Sequence, residues 1–178
     1  MLQLGRGLFV ILVLGLIMLV PVTLGHLPPV VASHFDGAGV PNGWSSRPTY
    51  ALMLIAVGAV LPLGTIGLVS LLVRRGPQLL NIPARDYWQR PEHGPEAVRR
   101  VRAYMWWLGC VMTATALGVH WLILKAHASQ PPRLSTRGIL VVLGGALLGI
   151  GLWIGGWYRL LRPPVPDRQS AGSQPNPR

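Results

Sequence analysis

Four stretches of this chain contain no Asp, Glu, Lys or Arg: residues 7–25, 49–73, 104–124 and 138–158. They cover 86 residues, and all 21 charged residues fall in the other 92. A bilayer's hydrocarbon core is about 30 Å thick, which a helix crosses in about 20 apolar residues. All four stretches are long enough, and a segment in lipid must satisfy its own main-chain hydrogen bonds, so each is predicted to be a helix. Burying four such helices in a water-soluble protein would need a polar shell far larger than 92 residues supply. The chain is therefore predicted to be an all-α integral membrane protein with four transmembrane helices. The first apolar run is longer than the 7–15 residues of a signal peptide's core, so it reads as an uncleaved helix.

Lys and Arg set the orientation. With both termini inside, 12 of the 16 basic residues lie on the cytoplasmic side and four outside. This N-in/C-in arrangement puts loop 26–48 outside and loop 74–103, with its seven arginines, inside a plasma (inner) membrane. The formal net charge of +11 is then met by the lipid bilayer's anionic inner-leaflet lipids, and no nucleic acid is invoked. Trp44 and Trp121 fall near the outer interface, and Trp88, Trp106, Trp107, Trp157 and Tyr158 near the inner one. Cys110, the single cysteine, lies within a span and reads as a packing residue.

Loop 26–48 is dense in turn formers: Pro28, Pro29, Asp36, Gly37, Gly39, Pro41, Asn42 and Gly43. It reads as compact, with one short strand at Val30–Phe35. Ser46 or Thr49 is placed to cap the second helix, with Pro48 in its first turn. Pro62, mid-span, predicts a kink. In the inner loop a helix is predicted from Glu96, with Ala97, Val98, Val101 and Met105 on one face and Arg99, Arg100 and Arg102 on the other. Such a turn can lie on the membrane surface or simply extend the third span. Gly145, Gly149, Gly151 and Gly155 give the fourth span two small-xxx-small pairs, open to another helix of this chain or to a homo-oligomer. The four-helix domain covers 1–161. Residues 162–178, rich in Pro, Ser, Gln and Asn, are predicted to form a disordered cytoplasmic tail.

No phosphate-binding loop, zinc-protease motif, Cys-x-x-Cys pair or nucleophile elbow is present. The spans also lack the carboxylates that proton-coupled pumps place in the membrane. No catalytic residues and no cofactors are assigned, and the chain is read as non-enzymatic. His34, Asp36 and His120 are the candidate metal ligands, since imidazole and carboxylate suit Zn²⁺ or Cu²⁺; their irregular spacing favours instead hydrogen bonds within the loop for His34 and Asp36, and a place at the headgroup boundary for His120. Two other function classes stay open: a small transporter or transporter subunit using Thr65, Ser70, Thr113 and Thr115, and an outer-face metal-dependent enzyme.

Two loop motifs carry a family resemblance. The first is Leu27-Pro28 followed by His34-Phe35-Asp36, Gly39, Pro41, Gly43-Trp44 and Ser46. The second is Asn81-Ile82-Pro83, Tyr87-Trp88 and Pro91-Glu92. In this order, one span apart, they resemble the bacterial membrane domain of unknown function that forms the N-terminal part of SdpI-type toxin-immunity proteins. The resemblance covers about residues 8–105 and implies a multi-spanning plasma-membrane protein with the His-Phe-Asp loop outside. Its implied role is toxin immunity, envelope-stress protection or membrane signalling. Ligand recognition then falls to His34, Phe35, Asp36, Gly39, Pro41 and Trp44. Contact with a membrane or cytoplasmic protein partner falls to Asn81, Ile82, Pro83, Tyr87 and Trp88. A purely structural role for either loop is the competing expectation.

Overall fold

The computed structural model describes residues 2–76 and 82–164. Its elements are α1 (Leu2–Leu24), a hairpin of β1 (Val30–Phe35) and β2 (Pro41–Ser46), α2 (Arg47–Ile55), a π-helical turn (Ala56–Val60), α3 (Leu61–Arg75), the short α4 (Arg85–Trp88), α5 (Gly94–Ala126) and α6 (Thr136–Leu160). Four continuous segments are long and apolar enough to cross a membrane: Gln3–Leu24, Arg47–Arg75, Gly94–Ala126 and Thr136–Leu160. Four helices of the expected length and apolarity are thus present. Burial argues the same way, because only 6% of α6's most apolar window is covered by protein. That surface of Leu, Val and Ile needs an apolar solvent rather than water.

The architecture departs from all-α at the hairpin. β1 matches the expected strand, but its partner β2, Pro-Asn-Gly-Trp-Ser-Ser, was not foreseen. β2 has little intrinsic strand preference, and it is extended because β1 offers an antiparallel ladder beside it. The register runs from Val30↔Ser46 to Phe35↔Pro41, with irregularities on either side of the His34↔Gly43 pair.

Ser46 caps α2 by accepting from the Thr49 N–H, and Pro48 sits in the first turn, where its missing N–H costs nothing. Where a kink is expected at Pro62, the chain forms a π turn just before it. Pro62 has no N–H to give the Gly58 carbonyl four residues back. The Thr113 hydroxyl, from α5, donates to that carbonyl instead at 2.8 Å. Gly58 is also where three helices meet: a Cβ there would lie 2.6 Å from Leu16 Cδ2 and 3.0 Å from Ala116 Cβ.

α5 is the hub, with α1, α3 and α6 each packed along it. It runs unbroken for 33 residues, roughly 50 Å, so the arginine-bearing turn after Gly94 extends the third span. Of the apolar face, Ala97, Val101 and Met105 are buried and Val98 is half-buried. The glycine stripe of α6 is only partly used. Gly149 packs on Val111, whereas Gly145, Gly151 and Gly155 have nothing within 4 Å. Residues 165–178 of the expected tail lie outside the described residues, as does Asn81.

The bundle has two unlike ends. One carries the hairpin and the α5–α6 loop. The other gathers the start of α1, the α3–α5 connection and the end of α6. There, among the described residues, ten arginines face three carboxylates: Asp86, Glu92 and Glu96.

Candidate functional site

The first sequence motif folds into the hairpin, and most of its members have a visible structural task. Leu27 is buried beneath the hairpin with Val31. Asp36 folds the turn: its Oδ1 accepts from the Ala38 and Val40 N–H groups at 2.9 and 2.8 Å, the Asx arrangement that short polar side chains favour. Gly39 sits at φ +75°, a conformation that L side chains resist. A Cβ there would lie 2.5 Å from the Leu134 carbonyl oxygen. The Gly39 carbonyl accepts from the Leu134 N–H at 3.0 Å, joining the turn to the α5–α6 loop. Pro41 opens β2, Phe35 is half-buried against the bundle, and Gly43 leaves room for His34 across the ladder, since a Cβ would come 2.9 Å from His34 Cβ.

Further bonds seat the hairpin on the helices. The Ala32 N–H donates to His127 Nε2 at 3.1 Å, and His127 Nδ1 donates to the Ile123 carbonyl at 2.9 Å. Arg47 donates from its guanidinium to the Leu27 carbonyl and from its main-chain N–H to the Pro29 carbonyl. Two side chains of the motif are left outward, His34 and Trp44, the latter 54% exposed. His34, with Ser33, lines one end of an apolar groove of about 400 Å³ that continues past Met53 and Val57 to Met112 of α5 and Ile150 of α6.

Replacing Gly39 by alanine is expected to loosen this end without unfolding the spans. The left-handed backbone costs about 1–2 kcal/mol for a residue with a Cβ, and the clash with the Leu134 carbonyl adds to it. Hydrogen exchange at Ala38, Val40 and Leu134 should rise while amides of α5 keep their protection; unchanged exchange at all three would refute this assignment.

Beneath the hairpin lies a buried polar network that sequence reading did not assemble. His120, fully buried in α5, lies with Nε2 2.7 Å from Thr23 Oγ1 of α1 and Nδ1 2.8 Å from the Tyr50 hydroxyl of α2. Thr23 gives its one proton to the Leu19 carbonyl at 2.7 Å. It therefore accepts from His120 Nε2–H, and Nδ1 accepts from the Tyr50 O–H, which fits a neutral ring protonated at Nε2. One side chain thus ties three helices together. His120, expected at the headgroup boundary, has its side chain enclosed by protein. His120 also stands apart from His34 and Asp36. Among the described residues, no group of three or more His, Cys, Asp and Glu side chains is placed to hold a metal ion.

The signal for this network was available in Tyr50. A tyrosine one turn into a span, with a histidine near the same end of another, gives two polar groups that must each find a partner out of water. Three of the four polar residues considered for transport are used differently: Thr65 and Thr115 donate to carbonyls one turn back, and Thr113 to Gly58.

The second motif is mostly internal. Ile82 and Trp88 are buried with Val73, Ala97, Val101 and Leu161. Trp88 Nε1 donates to the Leu161 carbonyl at 2.7 Å, and the Arg100 guanidinium lies 5.1 Å above its ring. Tyr87 stacks on His93 with centroids 4.0 Å apart. Expectations of a partner-contacting surface at Ile82 and Trp88, and of an interfacial Trp88, are therefore corrected: these residues hold the loop to α5 and to the end of α6. Pro83 and Tyr87 remain half-buried.

Residues 10–59, from α1 through the hairpin to the π turn, match a family described as a domain of unknown function (DUF1648). The match takes in the hairpin motif and ends before the 82–92 loop. No curated protein and no solved structure matches the chain.

Proposed function

We propose that this chain is a non-enzymatic plasma-membrane binding protein of SdpI-like type, protecting its cell against a secreted toxin or envelope stress. Both termini lie in the cytoplasm, the hairpin is outside, and the arginine-rich end meets anionic inner-leaflet lipid. The observation that carries this reading is the hairpin itself. It is fixed to the α5–α6 loop at Gly39 and to the helices at Ala32 and Arg47, yet it leaves Trp44 exposed and sets His34 at one end of an apolar groove. A rigid platform bearing an exposed aromatic and an imidazole suits recognition, because aromatic anchors dominate binding energy and preorganisation limits its entropic cost. The groove's apolar lining favours an amphipathic ligand that approaches from the outer leaflet.

Deleting the protein is expected to sensitise cells to a secreted peptide or to envelope stress. Trp44→Ala, at unchanged protein level, should weaken the protection by about tenfold, the loss usual for an interface aromatic. Val22→Ala, on the lipid-facing side of α1, should leave it intact. A membrane-impermeant thiol reagent should label Trp44→Cys but not Gln89→Cys in intact cells. Unchanged growth of the deletion strain across a broad toxin panel sinks the protective role, and the reverse labelling pattern sinks the orientation.

A further inference from the structure

We propose that a second groove, between α1 and α6, holds an acyl chain of an anionic phospholipid whose phosphate lies at the arginine-rich end. The cavity measures about 920 Å³ and is floored by α5. It runs from Leu4, Tyr104 and Leu160 at that end to Gly118 and Val141. Along α5, Tyr104 to Gly118 is roughly 21 Å, more than the roughly 15 Å of hydrocarbon in one leaflet. One extended chain therefore fits along its length.

The interior selects hydrocarbon. Three of its polar groups are already satisfied: the Tyr104 hydroxyl donates to the Trp153 carbonyl, Thr115 to the Val111 carbonyl, and the Cys110 thiol to the Gly5 carbonyl; Trp153 Nε1 has no partner but is itself buried. A polar solute would find no accessible free donor or acceptor among them and would lose its hydration. The walls are held at fixed separation by glycine contacts. Gly5 brings α1 against Trp107, and Gly118 and Gly149 bring α6 against α5 through Val142 and Val111. A chain lying here touches three helices, where an ordinary boundary lipid lies against one convex face.

Charge decides the headgroup. Next to the wall residues Leu4 and Leu160 stand Arg6 and Arg159. Arg6 lies 5.8 Å over the Trp106 ring, and among the described residues neither arginine is in an ion pair. Glu96, an acid close by on α5, is already shared between Arg99 and Arg100. Guanidinium groups at the same end of the bundle as the groove's Leu4 and Leu160 complement a phosphate joined to a hydrocarbon chain. This inference rests on the chain lying in a bilayer and is independent of what the hairpin recognises, so the two can fail separately.

The test is native mass spectrometry of the full chain released from micelles containing equimolar phosphatidylglycerol and phosphatidylcholine with identical chains. About one phosphatidylglycerol per protein should be retained, favoured by at least about fivefold, since one arginine beside an anionic headgroup is worth about that factor. The double variant R6Q/R159Q should lose the preference while still retaining lipid. G145L should lose retention of both lipids, because Gly145 lines the groove with nothing within 4 Å of its Cβ position and a leucine there fills it without a clash. If G145L does not elute like the wild type, Leu152→Trp on the same wall fills the groove from an exposed position. Equal retention of the two lipids, undiminished retention in the filled variants, or a lipid-free dimer that assigns the groove to a second copy would each overturn the proposal.

Discussion

Gly58→Leu is expected to destabilise the bundle by about 3 kcal/mol or more, the upper range for forcing atoms into a packed interior. The Cβ alone would press on Leu16 Cδ2 at 2.6 Å and on Ala116 Cβ at 3.0 Å. Leu16 is fully buried and has nowhere to retreat. Ala116 has no rotamer to change, so relief requires α5 to move from the π turn. That movement breaks the Thr113 bond to the Gly58 carbonyl, the one that compensates for Pro62. Because all three helices pivot on this point, the loss should appear as global unfolding at lower denaturant in mixed micelles and as a sharp fall in monodisperse yield. Gly64→Leu is the matched control, since nothing lies within 4 Å of its Cβ position. Equal stability of the two variants would show that the π turn is no close-packed junction.

His120→Ala should cost about 3 kcal/mol. Roughly 2 kcal/mol comes from the cavity left by a fully buried side chain. The remainder comes from the Tyr50 hydroxyl and Thr23, which lose their partner. Hydrogen bonds between membrane helices average only about 0.6 kcal/mol and reach about 1.7, because the unfolded chain in lipid also finds partners. Cavity formation is therefore the larger part. Tyr50→Phe should cost about 1 kcal/mol, leaving Nδ1 without its donor. The double variant Tyr50→Phe/His120→Phe should cost less than the sum of its single changes, since removing both ends of the Tyr50–His120 bond leaves neither end orphaned. Unfolding titrations of all four proteins measure this coupling. A His120→Ala protein within about 0.5 kcal/mol of wild type would place the residue among ordinary surface substitutions and refute its role as a three-helix clamp.

The spans were legible because solvent preference is written locally, in consecutive residues: about twenty uncharged positions announce a lipid-facing helix whatever surrounds it. The β1 strand was legible for a similar reason, since Val-Val-Ala-Ser-His-Phe lies between turn formers. β2 was not, because its strand character belongs to the pairing with β1. The hairpin motif was visible in sequence, but the tasks of Asp36, Gly39 and Gly43 became distinct only when their neighbours were in place. Trp88 shows the limit of composition: a tryptophan near a span's end reads as interfacial, yet here it is core.

The amino-acid order alone fixed how many helices prefer lipid, where they start and stop within a few residues, and that basic charge crowds one end of the bundle. The fold decided which polar groups meet: His120 finds Tyr50 and Thr23 across 70 and 97 residues of chain. It also decided which glycines are contacts and which are open surface, and that α6 flanks a groove. Hydropathy adds up residue by residue along a segment. Contacts depend on how each helix is rotated and offset against the next, and that geometry emerges only when all of them pack together.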